Sequence, residues 1–133
     1  MIYKSRKDIG GIVHSHSVYA LAVASSRKTV PVFLDEMFSE IGGDLEVSEY
    51  ALPGSDDLAS NIVKKLGDKN AVLLANHGAA CCGKNLEEAF WIAETVEKIC
   101  KIFVLSSALG GVHALPEEGV EYQRMMYEMR KDL

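Results

Sequence analysis

An α/β domain is the fold class this sequence predicts, and three features predict it. Short apolar runs of strand length recur, as in Gly11-Ile12-Val13 and Ala71-Val72-Leu73-Leu74-Ala75. Amphipathic segments of helix length lie between them, and glycines, prolines or capping residues stand at the junctions. Interleaving alone points to a parallel sheet, but several connections are too short to be crossovers.

Gly10-Gly11 opens a strand that ends at His14-Ser15-His16. Ser17 is placed to cap a helix from Val18 to about Arg27, whose residues are apolar almost all round and so suggest burial. Val30-Pro31-Val32-Phe33-Leu34 reads as a short strand, with its proline at an edge or a strand start. Asp35 to Ile41 fits a short helix stopped by Gly42-Gly43. Leu45 to Tyr50 alternates apolar and polar, as a half-buried strand does.

Pro53-Gly54 marks a turn, after which Ser55 caps a helix carrying Asp56 and Asp57 at the positive end of its dipole. Leu58, Ala59, Ile62, Val63 and Leu66 form its apolar stripe, and Gly67 ends it. The Ala71–Ala75 strand and a strand through Ala79-Ala80-Cys81-Cys82 meet at Asn76-His77-Gly78. Asn85 caps the longest helix, with Glu88 in the capping-box position. Leu86, Ala89, Phe90, Ala93, Val96, Cys100, Phe103 and Ser107 mark its inward face, and Gly110-Gly111 stops it. Pro116 and two glutamates begin a final helix with Val120, Met125, Met126 and Met129 as its face.

At 133 residues with 48% apolar content, the chain can build one core, and 25% charged residues is ordinary for a globular protein. A net charge of −5 gives no basic face for nucleic acid or an anionic membrane. No run of about 18 apolar residues predicts a membrane span, and the first residues lack a signal peptide's apolar core. Three cysteines, two of them adjacent, read as reduced thiols of a cytoplasmic protein.

The chemistry concentrates in two phrases, Val13-His14-Ser15-His16-Ser17 and Ala75-Asn76-His77-Gly78. On a strand, residues i and i+2 share a face, so His14 and His16 can grip one ion. His77, at the end of the second apolar run, becomes a third ligand if the two strand ends meet. Three neutral nitrogens with an open position form a catalytic zinc arrangement. Cys81 and Cys82 follow His77 but read more simply as small buried hydrophobes. Lys4, Arg6, Lys7, Arg27 and Lys28 are candidates to meet a phosphate, with ordinary surface charge as the simpler reading. His113 reads as a loop residue. Neither a Gly-x-Ser-x-Gly elbow nor a P-loop is present.

These phrases resemble the class II aldolase/adducin family, and the likeness spans nearly the whole chain. Further matching blocks are Tyr3-Lys4-Ser5-Arg6-Lys7-Asp8, Pro31, Gly42-Gly43, Pro53-Gly54 and Gly83-Lys84-Asn85-Leu86-Glu87-Glu88-Ala89. The resemblance implies an α/β/α layered domain with a mainly antiparallel central sheet. It implies that His14, His16 and His77 bind Zn2+ or another divalent transition metal, and that the activity is metal-dependent aldol cleavage of a small sugar phosphate through a metal-stabilised enediolate. It implies a cytoplasmic homo-oligomer, commonly a tetramer. A non-catalytic adducin-like interaction domain and a sugar-phosphate epimerase are the alternatives within the same family.

Family members also carry an earlier segment with a phosphate-binding stretch and a catalytic Glu. Thirteen residues precede His14, and Asp8 is their sole carboxylate. Residues 1–133 therefore resemble the C-terminal portion of the family domain. Asp35 lies near a position where some members place a tyrosine acid, and Tyr127 lies in a segment where some carry another catalytic tyrosine. Both are candidates, with the cap and first turn of a short helix, and a core or surface aromatic on an amphipathic helix, as their simpler readings.

Overall fold

The structure, a computed structural model, describes residues 1–132. Its centre is a four-stranded sheet of β1 (Gly11–Ser15), β2 (Val47–Ser48), β3 (Ala71–Leu74) and β4 (Gly78–Gly83), in the order β1-β4-β3-β2. β4 pairs antiparallel with both β1 and β3, while β2 runs parallel to β3. The sheet is thus mainly antiparallel. The parallel pair β2–β3 is joined by a connection long enough to cross over, through helix α4 (Asp56–Leu66).

Period-two alternation divides the central strands between two apolar layers. Ala71, Leu73, Ala79 and Cys81 point into a core shared with α2 (Val18–Ser26), α3 (Asp35–Ile41), α5 (Leu86–Ser106) and α6 (Glu117–Lys131). Val72, Leu74, Ala80 and Cys82 point the other way, toward Ile2 of α1 (Ile2–Ser5) and Leu58, Ile62 and Leu66 of α4. All residues of β3 and β4 are buried, which explains why both runs lack a polar face. The predicted α/β/α layering is therefore the observed one.

Local signals worked where a cap or turn decides the structure. Ser55 Oγ accepts from Leu58 N–H at 3.1 Å, and Asn85 Oδ1 accepts from Glu88 N–H at 2.8 Å. Glu88 reaches back one residue further than a capping box does, accepting from Lys84 N–H at 3.3 Å. Gly42 sits in the left-handed region at the end of α3.

Other expectations are corrected by tertiary partners. Val30–Leu34 forms no strand: among the described residues Val30 alone is bridged, antiparallel to Leu45. Val32 N–H instead donates to Asp44 Oδ1, and its carbonyl accepts from Leu115 N–H. The Leu45–Tyr50 strand shrinks to the two residues of β2. α2 is buried along Ala20, Val23 and Ala24 but leaves Val18 and Ala22 exposed. α5 buries Ala89, Ile92, Val96, Ile99 and Cys100, which turns Leu86 and Phe90 outward. On α6 the three methionines are exposed and Tyr127 is the buried residue.

β1 lies so close to the start of α5 that Gly11 has no room for a side chain. A Cβ there would stand 2.5 Å from the Asn85 carbonyl carbon and 2.6 Å from Leu86 N. Gly11→Ala should therefore lower stability by about 1–3 kcal/mol, the usual cost of overpacking. Urea unfolding of the variant beside wild type checks this, and an unchanged midpoint would show that the strand and helix can separate freely.

Candidate metal centre

The antiparallel pairing of β1 with β4 places Ser15 opposite Ala79 and His14 opposite Ala80. His77 sits in the turn that enters β4, so the end of β1 and the start of β4 bring all three histidines to one end of the sheet. Their ring centroids are 4.8, 5.0 and 5.1 Å apart. One nitrogen from each ring lies within 4.8 Å of the others. His14 and His16 are exposed and His77 is half-buried, which leaves the cluster open to solvent.

The tautomer of His14 follows from its neighbour. Its Nδ1 is 2.9 Å from the Ala79 carbonyl, which can only accept, so Nδ1 carries the proton and Nε2 presents a lone pair. That Nε2 lies 3.0 Å from His16 Nε2. A backbone carbonyl fixing the far nitrogen is how a metal-ligating imidazole is commonly oriented. His77 Nδ1 is covered and has no hydrogen-bond partner among the described residues. A buried nitrogen in this state is open to a water molecule or a cation. The donor set therefore fits a divalent transition metal with nitrogen preference.

The His77 turn is built for its place. His77 N–H donates to the Leu74 carbonyl at 2.9 Å, closing a turn whose third residue, Asn76, has φ +60°. Asparagine tolerates that left-handed conformation better than most residues. Asn76 also ties the turn to the end of α2. Its N–H donates to the Ala24 carbonyl at 3.2 Å, and its Oδ1 accepts from Arg27 Nε at 3.0 Å and Nη2 at 2.8 Å. Gly78 follows because a Cβ there would collide with the Ser15 carbonyl and lie 2.9 Å from His16 Cδ2.

The other end of the site is held from α5. Glu97 accepts from Tyr19 N–H at 3.1 Å and from Ala20 N–H at 2.9 Å, covering two of the free donors at the start of α2. Ser17, expected to cap this helix, makes no side-chain cap bond among the described residues. Sequence reasoning missed Glu97 because it lies 77 residues or more away from the helix it caps. The Asn76 clamp had a visible signal, an asparagine at a strand end before His-Gly.

The remaining candidates lie apart. Among the described residues, no Asp, Glu or Cys joins the histidine cluster. Asp35 is exposed in the first turn of α3. Tyr127 is buried against Phe38, and its hydroxyl donates to the Asp68 carbonyl at 3.0 Å. Cys81, Cys82 and Cys100 are buried free thiols, with burial pushing Cys82 up to about 11. Arg6 is committed to Asp8 and to the Gly67 and Lys69 carbonyls, and its hydrogen bonds hold the Asp8 carboxyl down at about 2. A cavity of about 350 Å³ lies where β1 begins and β4 ends, lined by Asp8, Lys84, Glu88 and Arg130. Its charges face one another: Arg130 lies 3.4 Å from Glu40 and 3.7 Å from Glu88.

A layered α/β domain with three convergent imidazoles at one sheet end is the class this geometry defines. The chain belongs to the family described as Class II Aldolase and Adducin N-terminal domain, which residues 1–104 match. It is 32% identical over 126 residues to a 5-deoxy-D-ribulose 1-phosphate aldolase of Bacillus thuringiensis serovar kurstaki, covering 95% of this chain and 59% of the relative. It is 30% identical over 107 residues to an L-fuculose phosphate aldolase of Escherichia coli, covering 80% of this chain and 50% of that protein. A solved L-fuculose 1-phosphate aldolase superposes with a TM-score of 0.88 at 38% identity, over 95% of this chain and 59% of the other. The chain thus spans between half and three-fifths of the length of these relatives. No helix among the described residues is long and apolar enough to cross a membrane.

Burial, with His14 and His16 next to it, holds the His77 imidazole below its ordinary pKa of 6.5. Its folded-state pKa is thus the lower one, and the unfolded chain takes up the proton first. The contribution is complete above pH 6.5 and lost as pH falls through the lower folded value. Metal-free protein should therefore be progressively easier to unfold in urea as pH is lowered from 7.5 toward 5. His77→Gln should flatten that part of the profile, and an identical profile in the variant would place the titrating group elsewhere.

Proposed function

We propose that this chain works as a metal-dependent aldehyde-lyase, an aldolase that cleaves a small sugar phosphate. His14, His16 and His77 would hold the ion, Zn2+ or another divalent transition metal. The observation that carries the reading is the convergence of three imidazoles, one fixed in its tautomer by the Ala79 carbonyl, in a chain of this family. A divalent cation held there supplies Lewis-acid stabilisation of negative charge developing on substrate oxygens.

The chain's own residues supply the geometry. In the neutral ring, the Ala79 carbonyl directs the His14 proton to Nδ1 and leaves the Nε2 lone pair to the site. Arg27 and Asn76 hold the turn that carries His77. Gly78 leaves room for the His16 ring. Exposure of His14 and His16 leaves a path for a polar substrate to reach the cluster. The sugar phosphates in the names of the relatives, 5-deoxy-D-ribulose 1-phosphate and L-fuculose phosphate, are the substrate class to try first. The reading also includes a cytoplasmic protein with reduced thiols that assembles as a homo-oligomer, a tetramer by family likeness. Exposed Leu86, Phe90 and Trp91 on α5 and Met125 and Met129 on α6 favour association.

One observation favours a second reading. Proton transfer in aldol cleavage needs an acid/base group within hydrogen-bond reach, and no carboxylate among the described residues joins the cluster. A domain that binds metal without cleaving would look the same. Neither Asp35, exposed on α3, nor Tyr127, whose hydroxyl is engaged by Asp68, is assigned that task here.

Purified protein should hold about one divalent ion per chain, as a three-histidine site does, and His14→Ala or His77→Ala should lose it. The loaded protein should convert L-fuculose 1-phosphate or 5-deoxyribulose 1-phosphate to two shorter products by mass spectrometry. Metal binding without cleavage would select the second reading, and an isomeric product of unchanged mass would indicate an epimerase. Absence of metal from wild type would overturn all three.

A further inference from the structure

We propose that Glu97 is a positioning residue for the histidine cluster, acting through the start of α2. This rests on the metal-binding reading above. His16 and the first residue of α2 are separated by Ser17 alone, so the placement of that helix end sets the exit of the chain from His16. Such an end is ordinarily held by its own N-cap side chain. Here the Ser17 side chain makes no such bond among the described residues, and a carboxylate from the middle of α5 takes two consecutive N–H groups.

The difference matters mechanically. A local cap stabilises a helix but leaves it free to move as a body. A carboxylate from another element fixes the helix end against that element. α5 packs on both β1 and β4, the strands that flank the cluster. Glu97 therefore ties His16 to the same framework that carries His14 and the Ala79 carbonyl. The opposite end of α2 is tied to the His77 turn through Ala24, Arg27 and Asn76. α2 is thus a strut between two of the three ligands, and Glu97 is its remote anchor.

Glu97 touches neither ligand ring nor substrate in this assignment, so its effect is on metal geometry and affinity. Co2+ is the probe, because its visible spectrum reports coordination geometry apart from any activity. Wild type, Glu97→Ala, Glu97→Gln and Leu66→Ala are titrated with Co2+ and unfolded in urea. Leu66 of α4 is buried in the other apolar layer and serves as a control destabilised outside the core that holds α2. Removing a residue that orients ligands typically weakens metal binding about 10- to 100-fold. Glu97→Ala should show such a loss with an altered cobalt spectrum. Glu97→Gln keeps one acceptor oxygen and should fall between Ala and wild type, and it stands in if the alanine variant does not fold. Leu66→Ala should keep wild-type affinity and spectrum.

Wild-type affinity and spectrum in both Glu97 variants would overturn the inference while leaving the metal site intact. Equal loss in Leu66→Ala would also overturn it, because general destabilisation would then explain the effect. If wild type itself binds no Co2+, the metal reading fails first and the inference falls with it.

Discussion

Register between β1 and β4 is the constraint on which the rest of the site depends. Side chains alternate faces along a strand, so a slip of one residue would turn His14 to the opposite side of the sheet. The observed register puts His14 across from Ala80 and brings its Nδ1 to the Ala79 carbonyl. One pairing thus fixes position, direction and tautomer together. What fixes the register is steric as well as hydrogen-bonded. Gly11 lies under the start of α5, and Gly78 lies under Ser15 and His16, so each glycine marks a contact that a shifted strand would fill with a side chain.

Three imidazoles within about 5 Å also impose an electrostatic condition. Protonating one makes protonation of the next harder, and partial burial adds a desolvation cost to the charged form of His77. The helix that begins beside His16 points its free N–H groups toward this region. Glu97 places negative charge against that helix end and accepts its free N–H groups. Burial and the neighbouring rings thus bias His77 toward its neutral form. That is the protonation state metal binding requires, because a protonated imidazole has no lone pair to give.

The legible part of this arrangement is the part encoded locally. His-x-His at a strand end, the caps Ser55 and Asn85, and the glycine stop after α3 each depend on residues within four positions, and each is found where the sequence puts it. The layered fold followed from family likeness more than from pattern, because alternating elements alone favour a parallel sheet. The illegible part depends on partners far along the chain. Val32 is paired to a side chain and a distant loop, so a strand pattern there has no strand to join. α5 has apolar residues on more than one face, and which face turns inward is settled by the sheet beneath it. The sequence left Tyr127 open between core and surface, and its contacts with Phe38 and Asp68 decide for the core.

Ligand placement and proton transfer are separable in this chain. Among the described residues, the contacts that shape the histidine cluster come from β1, β4, the β3–β4 turn, α2 and α5. These are rigid, mutually packed elements, and they suit a site whose demand is fixed nitrogen geometry. A proton-transfer group has a different demand, since it must sit near substrate and change charge in each turnover. The ionised carboxylates near this framework are used otherwise: Glu97 holds a helix end, Asp8 holds Arg6, and Glu40 and Glu88 face Arg130. Arg6 holds Asp8 in its charged form, which makes that carboxylate a poor proton acceptor. The framework therefore favours binding a metal over moving a proton. Under the lyase reading proposed above, an acid/base group would be a residue outside that network, on the exposed side where His14 and His16 lie.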